Sequence, residues 1–262
     1  MTHISRKCGQ FRYFDTQLRH PEWRDKYVLD FGGNIGNILR ARESAIDEDR
    51  YWCVDVSRDA IAAGRRERPR AHWIFYNRYN ECFNPDGRRG LPLPDMGRGF
   101  DYILAYSVFT HILPGEMRSL LADLVGLLND DGVLAFSFID PFFHSWPGEY
   151  PGDNFRWRLD RINKEGLKVD VARAAHIVRG APWFVLADDV SVWVATERLP
   201  ALSWNPGRSF HVYHARAYIE GLYPHAHVLP PAHREMQHCC LIRKNGLRRE
   251  RSRIAAAGCA GS

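Results

Sequence analysis

Hydrophobic positions between residues 26 and 140 fall into two alternating rhythms. Short apolar runs rich in β-favouring residues, KYVLDFGG (26–33), RYWCVDVS (50–57), AHWIFYN (71–77), FDYILAYSVF (100–109) and GVLAFSFID (132–140), predict five strands. Three stretches between them have helical spacing: NILRARESA (37–45), RDAIAAGRR after an N-capping Ser57, and GEMRSLLADLVGLLND (115–130). In the last of these, apolar residues, mostly leucines, recur at i, i+3, i+4 and i+7, which predicts an amphipathic helix ending at Asn129. Strands that read as continuous apolar runs and alternate with helices predict an α/β fold, a doubly wound and mostly parallel sheet covered on both faces.

At Asp140 the alternation stops. Residues 141–210 hold five of the eight tryptophans (146, 157, 183, 193 and 204) and predict an insertion, with a helix near 155–179 and two short strands near 183–195. YHARAYIEGLYP (213–224) resumes helical spacing, and AHVLPP (226–231) and MQHCCLIRK (236–244) predict closing strands. The organisation expected is an N-terminal lid segment (1–25) carrying Phe11, Tyr13, Phe14 and Trp23, a core (26–140), an aromatic-rich cover (141–210), a return to the core (211–244) and a basic disordered tail (245–262).

Composition narrows the function classes. With 262 residues, 45% hydrophobic and 26% charged, the chain is neither disordered nor fibrous. No apolar run approaches the ~20 residues that span a bilayer, and the N-terminus lacks an apolar signal core, so a cytoplasmic protein with no membrane partner is expected. Six cysteines, at 8, 53, 82, 239, 240 and 259, show no CxxC spacing and read as buried or incidental thiols, with no metal site. The net charge of +5 resides in RKNGLRRERSR (243–253), which has six cations and one Glu, so the body of the chain is neutral and a nucleic-acid partner is disfavoured. Oligomeric state is not encoded in any motif, and a homodimer stays open.

Candidate chemistry gathers at the ends of the first two strands. Asp30, Gly32, Gly33, Asn34 and Gly36 form a tight turn at the carboxyl end of the first strand, where open α/β sheets bind ligands, and a following helix N-terminus would offer N–H groups to an anionic group. Asp55 ends the second strand 23 residues beyond Gly32, placed to accept from both ribose hydroxyls of a nucleoside-containing cofactor. A dinucleotide site needs G-x-G-x-x-G, and G-G-N-I-G-N-I-L matches it poorly, which weakens a dehydrogenase reading.

VLDFGGNIG instead resembles motif I of the class I S-adenosylmethionine-dependent methyltransferases, with an acidic residue two before the first glycine of E/D-x-G-x-G-x-G. The resemblance continues through YWCVDVS, FDYILAYSVFTHI and LLNDDGVLAFSFID, covering 26–140 well and 210–244 loosely. It departs at Asn34, where the family usually has glycine; Asn is the residue that next best tolerates positive φ. The resemblance implies a seven-stranded sheet with an insertion after strand five, S-adenosylmethionine as cofactor and S-adenosylhomocysteine as product. It assigns Asp30 to the cofactor's amino group through the turn, Gly32 and Gly36 to close approach, Asp55 to the ribose, Val56 and Asn77 to adenine, and Tyr106 and Ser107 to the neighbourhood of the sulfonium, where an aromatic face attracts the cation.

For the reaction, alignment of an acceptor with the methyl group is essential, and a general base helps where the acceptor is a hydroxyl or ammonium. His111 and His144, past strands four and five, are the candidate bases, and Asp140, Trp146, Tyr150 and Arg156 the neighbouring candidates, the last three for substrate contact. DPFF (140–143) resembles the D-P-P-F tetrad of amino-methyltransferases but follows strand five rather than strand four, which disfavours exocyclic base methylation. The expected function is methyl transfer to an oxygen or nitrogen of a small molecule in specialised metabolism. The alternatives are an RNA or protein methyltransferase, or a non-catalytic nucleoside-binding module.

Overall fold

A computed structural model describes residues 9–143, 182–187, 195–196, 210–232 and 236–245. Its strands are β1 (Val28–Phe31), β2 (Tyr51–Asp55), β3 (His72–Phe75), β4 (Phe100–Ala105), β5 (Leu128–Phe138), β6 (Trp183–Ala187), β7 (Ala195–Thr196), β8 (Phe210–His214), β9 (His227–Leu229) and β10 (His238–Arg243). Seven of them form one sheet in the order β3-β2-β1-β4-β5-β10-β9, and β7-β6-β8 form a second, antiparallel sheet. The first five strands of the large sheet pair in parallel, and β10 runs antiparallel between β5 and β9. This is the seven-stranded, mostly parallel sheet that the resemblance implies. Chain direction across the sheet reverses between β1 and β4, which opens a crevice at the carboxyl ends of those strands.

Each face of the sheet carries its own core. On one side α3 (Pro114–Gly126) buries Met117, Leu120, Leu121 and Leu124, the i, i+3, i+4, i+7 stripe of the sequence, against Phe100, Ile103, Leu134 and Phe136. On the other, α1 (Gln10–Gln17) lays Phe11 and Phe14 with Trp23, Tyr51 and Trp73, and α2 (Arg58–Glu67) is capped by the Ser57 side chain, which accepts from Ala60 N–H at 3.3 Å. Phe11, Tyr13, Phe14 and Trp23 of the N-terminal segment are thus buried in the core, and the Tyr13 hydroxyl donates to the His238 carbonyl at 2.8 Å. The helix expected near 155–179 lies outside the described residues.

Three expected elements form differently. NILRARESA makes irregular turns, not a helix, because Asn34 (φ 54°) and Gly36 (φ 76°) sit in the left-handed region where a first helical turn would begin. The helix expected to reach Asn129 stops at Gly126, since the Leu127 carbonyl is claimed by Phe100 N–H at 2.9 Å; β5 then starts at Leu128, and residues 129–132 bulge out before pairing resumes at Tyr102 and Val133. Tyr213 and His214, read as helical, complete β8 because they pair with Phe184 and Trp183; the helix α4 starts only at Arg216 and ends at Leu222. Among the described residues no helix is long and apolar enough to cross a membrane.

Candidate functional site

The turn after β1 is shaped by what lies beneath it. Asp30 is 1% exposed and accepts a short hydrogen bond from the Tyr51 hydroxyl. Burial pushes its carboxyl up to about 7, against the lowering effect of that bond. Gly33 faces this carboxylate and the Cys53 thiol. Above it, Gly32 (φ 73°) donates to the Val54 carbonyl at 2.7 Å, and a Cβ there would stand 2.4 Å from Val108 Cγ2. The turn is fastened to β2 by Asp55, whose two carboxylate oxygens accept from Asn34 N–H at 2.8 Å and Ser57 N–H at 2.7 Å. Burial raises the Asp55 pKa, with those backbone donors acting in the opposite direction.

A cavity of about 550 Å³ opens in front of this turn. Its walls include Gly32, Asn34, Asp55, Val56, Tyr106, Ser107 and His111 from among the residues singled out in the sequence. Asp30, Gly33, Gly36 and Asn77 are not in its walls. Gly36 instead makes room for the Trp73 ring, and the Asn77 amide oxygen accepts from Asn84 Nδ2 at 3.2 Å. Asp140 follows β5, as expected for the DPFF segment, and accepts from Phe142 N–H at 3.0 Å. His144, Trp146, Tyr150 and Arg156 lie outside the described residues.

At the β4 end, Tyr106 stacks edgewise on Tyr13 and Phe14, with centroids at 5.1 and 6.2 Å. Ser107 follows with φ 58°, a strained conformation held by Ser107 N–H to Ser137 Oγ (2.7 Å), Gln237 Nε2 to Ser107 Oγ (3.2 Å) and Thr110 Oγ1 to the Ser107 carbonyl (2.8 Å).

Several wall residues were not anticipated. Tyr76, Arg78, Tyr79, Asn80 and Phe83 come from the chain after β3, Glu116 and Leu120 from α3, and His211 from β8. His211 brings its ring to 4.7 Å from that of His111, which also meets Phe83 at 5.1 Å. Only closeness to the end of strand three could point to Tyr76 and Arg78; nothing in the sequence signals Glu116 and Leu120, which α3 brings to the cavity, or His211, which depends on how β8 folds back on the turn after β4.

The buried Asp30 has a measurable consequence. A carboxyl at about 7 in the fold and at its ordinary 3.8 when unfolded is protonated only in the fold between those values, so its contribution to stability falls as pH rises through that window, by at most ~1.4 kcal/mol per pH unit. Burial lowers His214 and His238 to about 4, which works in the opposite sense between pH 4 and 6.5 but is common to wild type and variant. Asp30→Asn is therefore expected to gain stability relative to wild type as pH is raised from 4 to 7. A melting-temperature difference independent of pH would show that Asp30 titrates normally.

Comparison with known proteins agrees with this architecture. Residues 29–134 match the family profile of a methyltransferase domain. A protein from Pyrococcus horikoshii superposes with a TM-score of 0.52 at 15% identity, covering 90% of this chain and 89% of that one. A structure of an amino pentose methyltransferase from Micromonospora echinaspora, involved in calicheamicin biosynthesis and solved with S-adenosylmethionine bound, gives 0.51 at 13% identity over 91% and 92%. An S-adenosylmethionine-dependent methyltransferase from Clostridium acetobutylicum gives 0.50 at 11% identity over 92% of both chains. At such identities the likeness is one of fold.

Proposed function

We infer that this chain, whose residues 29–134 match the profile of a methyltransferase domain, transfers the methyl group of S-adenosylmethionine to an oxygen or nitrogen of a small molecule. The observation that carries the reading is Asp55: a buried carboxylate at the end of β2, on the wall of a 550 Å³ cavity, held by two backbone N–H groups and keeping lone pairs for the hydroxyls of a ribose. Gly32, Asp55, Val56 and Tyr106 would hold the cofactor, which would supply an activated methyl group when bound.

The chain's own residues do the rest. Gly32 presents bare backbone to the cavity and leaves room for Val108, and the Tyr106 ring, braced by Tyr13 and Phe14, would offer an aromatic surface to the positive sulfur. The His111 and His211 rings stand together on the cavity wall, positioned to take the proton an acceptor hydroxyl or ammonium gives up. Titration calorimetry with S-adenosylhomocysteine tests the cofactor, and transfer of labelled methyl to small hydroxyl and amine compounds tests the acceptor. No binding overturns the cofactor assignment; binding with transfer only to RNA or a peptide overturns the small-molecule assignment. His111→Ala and His211→Ala are expected to lower turnover by about 10²-fold in at least one case, with affinity for S-adenosylhomocysteine preserved. Wild-type rates in both would remove the pair from proton transfer.

A further inference from the structure

We propose that Glu116 reads the base of the cofactor, accepting the adenine amino group. The inference rests on the cofactor reading above and adds to it which residue distinguishes adenine from other purines.

With the sulfonium beside Tyr106 and Ser107, as the resemblance implies, the strand order gives the bound nucleoside its direction. The ends of β1 and β4 meet at Gly32, Tyr106 and Ser107, while β2 and β3 lie on the other side of β1, so a ribose at Asp55 leaves its base to run toward the end of β3. There Val56 follows Asp55, and Tyr76 N–H donates to the Asp55 carbonyl at 2.9 Å, which ties the end of β3 to that of β2. The wall at this end is made by Val56, Tyr76, Arg78, Glu116 and Leu120. Val56 and Leu120 are apolar surfaces for a flat ring.

Within this wall the polar side chains are fixed. Arg78 is 8% exposed and donates through Nε to Glu116 Oε1 at 2.8 Å, while its Nη1 donates to the Tyr76 hydroxyl at 3.2 Å and to the Leu91 carbonyl. The guanidinium is thereby occupied and the Glu116 carboxylate oriented, with its side chain 34% exposed and unclaimed lone pairs at the cavity. A carboxylate accepts and does not donate, so it suits the adenine amino group and opposes the 6-oxo group of hypoxanthine or guanine. Asn77, to which the resemblance gives this contact, has its amide engaged with Asn84 and stands outside the wall.

The test compares two ligands that share ribose and homocysteine and differ at one edge of the purine: S-adenosylhomocysteine, with a 6-amino group and a bare N1, and its inosine counterpart, with a 6-oxo group and an N1–H; a Glu116 carboxylate set opposite the 6-position favours the first. Calorimetry on the wild-type protein is expected to show preference for the adenosine ligand by about 10-fold or more. In Glu116→Gln the amide can turn its NH₂ toward a 6-oxo group, and the ratio of the two affinities is expected to fall by about 10-fold; in Glu116→Ala it falls toward unity. Because the ratio is the readout, a general loss of affinity or stability from disturbing Arg78 does not imitate the effect. A ratio unchanged in both variants, with S-adenosylhomocysteine still bound, overturns the role of Glu116 and leaves the cofactor reading intact. Failure of wild type to bind either ligand overturns both.

Discussion

Asp55→Ala is expected to weaken S-adenosylhomocysteine binding by about 10- to 100-fold, equivalent to ~1–3 kcal/mol. Two effects add. The ribose loses a charged acceptor, and the turn after β1 loses the group that fastens Asn34 N–H to the end of β2. Two backbone donors, on Asn34 and Ser57, are left without their carboxylate, so a loss of stability of about 1–3 kcal/mol accompanies the loss of affinity. Asp55→Asn offers little rescue. One of its two terminal atoms is an NH₂, and it must face one of the two N–H donors that now point at carboxylate oxygens. Calorimetry on each folded variant, read beside its denaturation midpoint, separates the two effects. Full affinity in a folded Asp55→Ala protein would remove Asp55 from the ribose site.

The sequence revealed what depends on local periodicity and left dark what depends on the return of distant chain. The apolar runs of β1 to β5 and the leucine stripe of α3 are local, and each forms close to where the pattern places it. The turn after β1 was recognisable because a sharp change of chain direction needs positive φ, which leaves a trace in Gly32, Asn34 and Gly36. Positive φ at Asn34 and Gly36 also prevents a first helical turn there, so Ile38 and Leu39, whose spacing is helical, are buried in turns. Partners in the site were less accessible. His211 reaches His111 only because β8 joins a separate small sheet that folds against the turn after β4, and Glu116 reaches Arg78 across 38 residues. Asn77 follows strand three as the resemblance places it, but its amide oxygen is engaged by Asn84 and it does not line the cavity, a local pairing that its position alone does not signal.

Trp73→Ala is expected to have the largest effect on stability, about 3–5 kcal/mol, a sizeable part of the ~5–15 kcal/mol typical of a folded domain. Its ring is 5% exposed, its Nε1 donates to the Arg68 carbonyl at 2.9 Å, and its edge enters a slot between α2 and the turn after β1. Two glycines cut that slot: a Cβ on Gly64 would lie 2.2 Å from Trp73 Cζ3, and one on Gly36 would lie 2.6 Å from Cη2. The chain thus spends its third motif glycine on seating a tryptophan beneath the turn. Gly64 sits within α2, where alanine would ordinarily stabilise by about 0.5–1 kcal/mol, so a destabilising Gly64→Ala would itself report the clash. The sharper measurement is the double-mutant cycle with Trp73→Phe, whose smaller ring vacates part of the slot. Gly64→Ala is expected to cost less in the Trp73→Phe background than in wild type, by about 1 kcal/mol or more by denaturant unfolding. Strictly additive costs would mean that the indole does not fill the space that Gly36 and Gly64 leave.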